Sequence, residues 1–297
     1  MQRITPCLWF DHQAEEAAKF YISLFPNSQM GTIAHYGKSG AKAAHREAGS
    51  VMTVTYTLDG HEFMGLNGGP MFKFSPSVSL CVKCGSEQEV NDLWDGLSDG
   101  GSVLMPLDKY PFSDRFGWLT DKYGVSWQLI IMGQARGIAP LLMFVGDQHG
   151  RAEEAMNFYM SQFGNSRTNH LMRYEEGEWD KVGTVKHASF TLDGQEFMVM
   201  DSGGPHPFTL VQAISFMVNC KDQAEVDRFW DGLSDGGATN VCGWLSDKFG
   251  LPWQIVPVEM GEMMKAGDAG KMERVMAALL KMTKLDIAEL KRAADAT

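Results

Sequence analysis

Histidine, tryptophan and glutamine are the side chains of this sequence best suited to contact a small molecule. Trp118 and Gln128 near the middle of the chain recur as Trp244 and Gln254 near its end. A tryptophan wall suits an apolar or cationic ligand. His187 adds the side chain type that changes charge near neutral pH, so it could exchange a proton with a ligand. These residue types predict a binding cleft.

Motifs of covalent, metallohydrolytic or nucleotide chemistry do not occur in the sequence, which has no GxSxG, no HExxH and no glycine-rich phosphate loop. Cys81-x-x-Cys84 has metal-ligand spacing, but one such pair without a second is a weak signal. Residues three apart on a strand point to opposite faces, so we interpret both cysteines as buried apolar side chains. The AEEA runs at 14–17 and 152–155 are interpreted as helix starts, where carboxylates favour the helix dipole.

The elements that must position these residues occur twice. Three long segments recur in the same order, namely AEEAAKFYISLFPNS (14–28) as AEEAMNFYMSQFGNS (152–166), WDGLSDGG (94–101) unchanged at 230–237, and GWLTDKYGVSWQ (117–128) as GWLSDKFGLPWQ (243–254). Such agreement indicates a tandem duplication. The first copy carries additional residues at 105–116, which we interpret as a loop over one site only.

Each copy has the pattern of an α+β module. Apolar residues at helical spacing over 17–25 predict a helix after a short first strand. Asp59-Gly60 predicts a tight turn between two strands, Met52–Leu58 and Glu62–Leu66. Ser86-x-x-Glu89, and Asp222-x-x-Glu225 in the second copy, predict the start of a second helix. We therefore expect three segments, namely one module over 1–133, a second over 138–258 and a helical extension over 259–297.

The helical extension has no counterpart in the repeat. Lys271–Met282 carries a stripe of methionine, valine and leucine on one helical face, and Asp286-x-x-Glu289 predicts the start of a last helix. An exposed apolar stripe must be covered. We expect it to form a homodimer contact, with packing on its own chain as the alternative.

Composition excludes several partners. The formal net charge is -11, so we expect neither nucleic acid nor an anionic membrane surface to bind. No apolar run is long enough to span a bilayer, and the first residues lack the pattern of a secretory signal. An odd number of cysteines, five, suits a reducing compartment. We expect a cytoplasmic protein.

The ordered set of signatures resembles a known family. A PxLxF opening, an F-Y-x-x-x-F helix, an LDG turn, a GGP segment and a closing GxxWQ resemble the PhnB-like branch of the vicinal oxygen chelate (glyoxalase/bleomycin-resistance) superfamily, over roughly residues 4–258. The resemblance implies α+β architecture built from paired βαβββ modules, whose curved sheets enclose a cleft for a small molecule. Fold likeness alone settles no chemistry.

The resemblance also implies four metal-ligand positions in each site, two from either copy. They fall on Thr5, Thr53, Ala213 and Gln254 in one site, and on Ala139, His187, Ser77 and Gln128 in the other. Most of these are poor metal ligands beside imidazole or carboxylate. We therefore predict no cofactor, although a weakly held divalent metal is left open.

Two functions remain as hypotheses. One is a metal-free protein that binds a small molecule, and the other is a metal-dependent glyoxalase- or dioxygenase-type enzyme acting on a small organic substrate. In the first, His187 exchanges a proton with the ligand while Gln128 and Ser77 orient it. The predicted ligand-binding residues are His187, Gln128, Ser77, Trp118, Trp9, Met143, Trp244 and Gln254.

Overall fold

The computed structural model describes residues 2–133, 136–265 and 268–296. The chain forms four consecutive βαβββ units. The first consists of β1 (Ile4–Phe10), α1 (Ala14–Leu24), β2 (Gln29–His35), an inserted short helix α2 (Lys38–Ala44), β3 (Val51–Leu58) and β4 (His61–Asn67). The second consists of β5 (Val78–Cys84), α3 (Glu87–Ser98), β6 (Ser102–Tyr110), β7 (Ser113–Thr120) and β8 (Ser126–Ile131).

The second sequence copy repeats this arrangement. Its first unit consists of β9 (Gly137–Phe144), a 3-10 turn (Gly146–Gln148), α4 (Ala152–Gln162), β10 (Arg167–Arg173), β11 (Val185–Leu192) and β12 (Gln195–Asp201). Its second consists of β13 (Ile214–Cys220), α5 (Gln223–Ser234), β14 (Ala238–Thr239), β15 (Trp244–Ser246) and β16 (Pro252–Pro257). Three helices follow, α6 (Val258–Lys265), α7 (Ala269–Leu279) and α8 (Ile287–Asp295).

Local sequence accounts for the ends of these elements. The Ser86 side chain accepts a hydrogen bond from the Glu89 backbone N–H at 3.2 Å and so begins α3 as predicted. Asp222 does the same for α5. Asp59 and Gly60 both have positive φ, 46° and 78°, which matches the turn expected between β3 and β4. The prediction that each copy has an α+β fold is confirmed.

The two sequence copies exchange halves when they form sheets. Sheet A has the strand order β14-β15-β16-β13-β1-β4-β3-β2, and sheet B has the order β10-β11-β12-β9-β5-β8-β7-β6. Each sheet therefore joins the first half of one copy to the second half of the other, through the antiparallel pairs β1–β13 and β5–β9. The crossing of halves implied by the family resemblance is the arrangement found here.

Helices α1, α3, α4 and α5 pack against one face of the two sheets, and this face carries the main apolar core. The sheets share this core, since the rings of Phe197 and Phe216 lie 5.3 Å apart across the boundary between sheets. The opposite faces are called cleft A, on sheet A, and cleft B, on sheet B. No helix among the described residues is long and apolar enough to cross a membrane.

The additional segment 105–116 is not the loop expected from the sequence. It extends β6 and β7 into a long hairpin at the edge of sheet B, whereas its counterpart β14 has only two residues. Aromatic contacts hold the hairpin together, because Phe112 lies 5.6 Å from Tyr110 and 5.0 Å from Phe116, measured between ring centroids. These side chains pair with each other and lengthen one edge of the sheet.

The C-terminal helices pack on their own chain, which was the alternative expectation. Val275, Leu279 and Leu290 are buried in a small separate core beside Cys242. The Glu273 carboxylate accepts a 2.6 Å hydrogen bond from the Ser39 backbone N–H and so caps helix α2. Most of the apolar stripe thus lies within the chain, and dimerisation through these helices stays a prediction.

Truncation after Met260 tests the role of the tail. We expect the shortened protein to unfold at a lower temperature than the full chain, because α2 and Cys242 lose the side chains that cover them. Thermal denaturation measures this effect, and light scattering measures the mass. A mass that changes from two chains to one on truncation would support the dimer role, and an unchanged mass would remove it.

Candidate functional site

A buried aspartate anchors the strands that carry the cleft residues. Asp121 follows β7, and its carboxylate accepts hydrogen bonds from the Tyr21 hydroxyl (2.7 Å), the Trp127 indole N–H (2.8 Å) and the backbone N–H groups of Tyr123 (2.8 Å) and Val125 (3.0 Å). The segment DKYGVSWQ (121–128), which recurs as DKFGLPWQ (247–254), thus ties helix α1 to β7 and β8. Asp247 makes the equivalent bonds to Phe249, Leu251 and Trp253 in the second copy.

Cleft B receives four of the predicted ligand-binding side chains. Trp118, Gln128, Met143 and His187 lie on β7, β8, β9 and β11, which belong to the one sheet. Met143 is buried at 2% exposure, in a cluster with Met198 and half-buried Trp118 and Met200. The cleft is therefore lined by apolar side chains, and they include methionines that adapt to an apolar ligand.

A loop from the second copy lies over cleft B. The ring of Phe208 packs on the methionine cluster, and the Ser77 hydroxyl donates a 2.8 Å hydrogen bond to the Thr209 carbonyl. Ser77 therefore holds this loop in place at the start of β5. Its predicted partner His187 lies three strands away, on β11.

That Gln128 and Ser77 orient a ligand bound by His187 stays a prediction, and the structure shows which groups Gln128 and His187 contact. The Gln128 amide donates to the Ser79 hydroxyl at 2.9 Å, and three strands separate β8 from β11. The neighbour of His187 is His170 on β10, whose ring centroid lies 6.1 Å away. Desolvation lowers the pKa of His187 below 6.5 with a further contribution from His170, opposed by Glu196. Its imidazole is thus neutral at pH 7.

Cleft A holds the other predicted residues, and its aromatic side chains pack against each other. The ring of Trp9 on β1 lies 5.9 Å from Trp244 and 4.9 Å from Phe72, both edge to face. Its indole N–H donates to the Gly69 carbonyl at 2.8 Å, and a side chain at Gly68 would meet the ring at 2.2 Å. The position of Trp9 is taken in cleft B by Met143, which is thinner and flexible.

Gln254 in cleft A behaves like Gln128 in cleft B. Its amide donates a 2.9 Å hydrogen bond to the Ser215 hydroxyl, and its side chain is buried at 8% exposure. The two glutamines therefore have the same local role in the two sheets, which is to bond to a serine on the adjacent strand. They position the strands, and the difference between the clefts arises elsewhere.

Strand register corrects the expected metal-ligand set. In sheet B, Ala139 lies opposite Cys81, and Cys81 lies opposite Gln128. Leu141 lies opposite Met198, so Glu196, two residues earlier, falls beside Ala139 in the same row. An acid is therefore present on β12, one strand away from His187. The sequence pattern missed it because spacing along the chain does not reveal which residues of adjacent strands face each other.

The corresponding row in sheet A has the same form. Thr5 lies opposite Met217, and Met217 lies opposite Gln254. Cys7 lies opposite Met64, so Glu62 falls beside Thr5. Each row thus contains one carboxylate.

The donors in these rows do not fit the divalent metal that the fold family implies. In cleft B, the Glu196 carboxylate is ion-paired with the Lys83 ammonium group. Burial raises the pKa of the Cys81 thiol to about 12, so a metal would have to displace a tightly held proton to bind there. Among the described residues, no three His, Cys, Asp or Glu side chains lie together as metal ligands would.

The CxxC pair is divided between two environments. Cys81 faces cleft B, whereas Cys84 is buried in the main core, and both are free thiols. This agrees with their interpretation as separate small apolar side chains on opposite faces of β5.

Comparison with known proteins identifies the family. The sequence profile described as 3-demethylubiquinone-9 3-methyltransferase matches residues 2–130 and again residues 136–256. The PhnB protein of Bacillus cereus is 44% identical, with a TM-score of 0.41, over 44% of this chain and 100% of its own. A protein of Staphylococcus aureus is 37% identical, with a TM-score of 0.19, over 44% of this chain and 97% of its own. No protein of curated function matches the chain.

A more distant likeness extends over both copies. Glyoxalase I of Zea mays is 10% identical, with a TM-score of 0.51, over 85% of this chain and 91% of its own, and so shares the fold. The chain belongs to the PhnB-like family described as 3-demethylubiquinone-9 3-methyltransferase and contains two copies of the family's module.

Proposed function

We propose that the chain binds a small organic molecule in cleft B without a bound divalent metal. The observation that carries this proposal is the difference between the two clefts. In cleft A the ring of Trp9 packs against Trp244 and Phe72. In cleft B the position of Trp9 is occupied by Met143, so Trp118, the counterpart of Trp244, has no tryptophan packed against it from that strand. We infer that a ligand binds where the Trp9 ring lies in cleft A, next to Phe208, which packs on the methionine cluster of cleft B.

The lining of cleft B indicates what the ligand looks like. Trp118 and the methionines favour an apolar, flat molecule, because sulfur and indole both make favourable contacts with aromatic rings. His187 is neutral at pH 7 because its pKa is lowered, so it can donate one hydrogen bond and accept another. We therefore propose a flat organic molecule with a polar group directed toward His187.

The second hypothesis, a metal-dependent glyoxalase- or dioxygenase-type enzyme, has less support. Its metal would need several ionised or imidazole donors in one row, whereas the row of Glu196 supplies one carboxylate that is already paired with Lys83. The five free cysteines agree with a reducing compartment, and we propose a cytoplasmic location on that ground.

A thermal-shift screen of flat organic molecules tests the proposal, with His187→Ala as the first variant. We expect hits on the wild type to bind His187→Ala about tenfold more weakly, because one buried hydrogen bond of about 1.4 kcal/mol is lost. Thr53→Ala is the matched control, since Thr53 occupies the position of His187 in sheet A. Equal binding by wild type and His187→Ala, or loss in Thr53→Ala alone, would refute the assignment to cleft B.

A further inference from the structure

A row of sulfur and imidazole groups crosses four adjacent strands of cleft B. Met172 on β10 lies opposite His187 on β11, and Met200 on β12 lies opposite Met143 on β9. Ala188 lies opposite Val199, so the next residues outward, His187 and Met200, also face each other. Directly opposite residues share a face of the sheet with Cβ atoms about 5 Å apart. The four side chains Met172, His187, Met200 and Met143 are therefore consecutive neighbours, called the soft row below.

The duplication supplies an internal comparison for the soft row. The equivalent positions in sheet A, connected by the same strand pairings, are Ala34, Thr53, Leu66 and Trp9. None of these carries sulfur or imidazole. At all four positions, sheet B has a sulfur or imidazole side chain where sheet A has neither. If these positions only had to fill an apolar space, leucine would be sufficient, and Leu66 does occupy one of them in sheet A.

Thioether sulfur and imidazole together select a soft metal ion of low charge. Cu(I) accepts such ligands, whereas hard or borderline divalent ions prefer carboxylate, water and several imidazoles. We propose that the soft row binds one Cu(I) ion, or Ag(I) of the same ligand preference, through His187, Met200 and Met172. This inference does not rest on the proposed binding of an organic molecule.

Exposure and charge along the row suit the entry of a cation. Met172 is 44% exposed at the rim of the cleft, and Met143 at the other end of the row is 2% exposed. An ion can therefore meet the outer sulfur first and then move inward. The net charge of -11 also attracts cations to the protein.

The test uses the full-length protein labelled with 13C at its methionine methyl groups and titrated with silver nitrate in chloride-free buffer. Silver(I) undergoes no redox change under these conditions and reports on thioether binding through the methyl NMR signal. We expect the signals of Met172 and Met200 to move with the first equivalent of Ag(I). The methyl signal of Met64, on the cleft A face of sheet A, should stay in place.

Substitutions in the soft row test whether the shift of the methyl signals reports Ag(I) binding there. Met200→Leu and His187→Gln are each expected to weaken Ag(I) binding about tenfold or more. Replacing a residue that only hydrogen-bonds to a metal ligand already lowers metal affinity 10- to 100-fold. Met64→Leu is the matched control, with no expected change, and thermal denaturation confirms that each variant is folded. Silver bound only at cysteine thiols, with the Met172 and Met200 signals unmoved, would overturn the proposal. Unchanged affinity in folded Met200→Leu and His187→Gln would overturn it as well, and neither result would bear on binding of an organic molecule.

Discussion

Asp121→Ala is expected to lower the free energy of unfolding by about 3–5 kcal/mol, which is a large share of the stability of an ordinary domain. The variant leaves the Tyr21 hydroxyl, the Trp127 indole and two backbone N–H groups without their common acceptor in the core. Each unpaired buried donor carries a desolvation cost. Urea denaturation monitored by circular dichroism measures the loss.

Two further variants define how this loss arises. Tyr21→Phe removes one of the four hydrogen bonds and should cost about 2 kcal/mol, as expected for a bond to a charged acceptor. Asp114→Ala in the exposed hairpin of β6 and β7 should leave the denaturation midpoint unchanged. A wild-type midpoint in Asp121→Ala would show that the aspartate does not hold α1 to β7 and β8.

Trp118→Ala is expected to weaken ligand binding to cleft B by roughly thirtyfold, because truncating a central tryptophan in a binding interface costs about 2 kcal/mol. The indole forms part of the cleft lining, and its N–H group already donates to Ser126 at 2.8 Å. The side chain is therefore held in one orientation before a ligand arrives. Isothermal titration with the best compound from the screen measures the change.

Trp244→Ala serves as the paired variant. Trp244 occupies the equivalent position in sheet A, where it packs against Trp9. Its removal should reduce stability and leave the affinity for the compound unaltered. Equal losses of affinity in the two variants would mean that the clefts do not differ in the way proposed.

Much of the fold could be predicted from local sequence. The repeated segments indicated a duplication, and Ser86 and Asp222 begin their helices as their spacing to Glu89 and Glu225 predicts. Positive φ at Asp59 and Gly60 was also predictable, because few residue pairs form such a turn. These features depend on residues within a few positions of each other.

Features that depend on distant residues were not predictable in the same way. Glu196 lies beside Ala139 only because β12 pairs with β9 in one register, which no spacing along the chain reveals. The C-terminal helices have an apolar stripe whether they form a homodimer contact or pack on their own chain. The hydrogen bond between Glu273 and helix α2 shows that they pack on their own chain. The exchange of Trp9 for Met143 was visible in the sequence, but its consequence needed the contact between Trp9 and Trp244.

A crystal structure of the protein with the tightest-binding compound from the screen tests the central claim most directly. We predict one molecule of the compound in cleft B, with its flat part against Trp118 and a polar atom within hydrogen-bonding distance of His187. Cleft A should remain filled by Trp9, as its contacts with Trp244 and Phe72 require. A compound bound in cleft A with Trp9 displaced, or bound away from both Trp118 and His187, would contradict the assignment of ligand binding to cleft B.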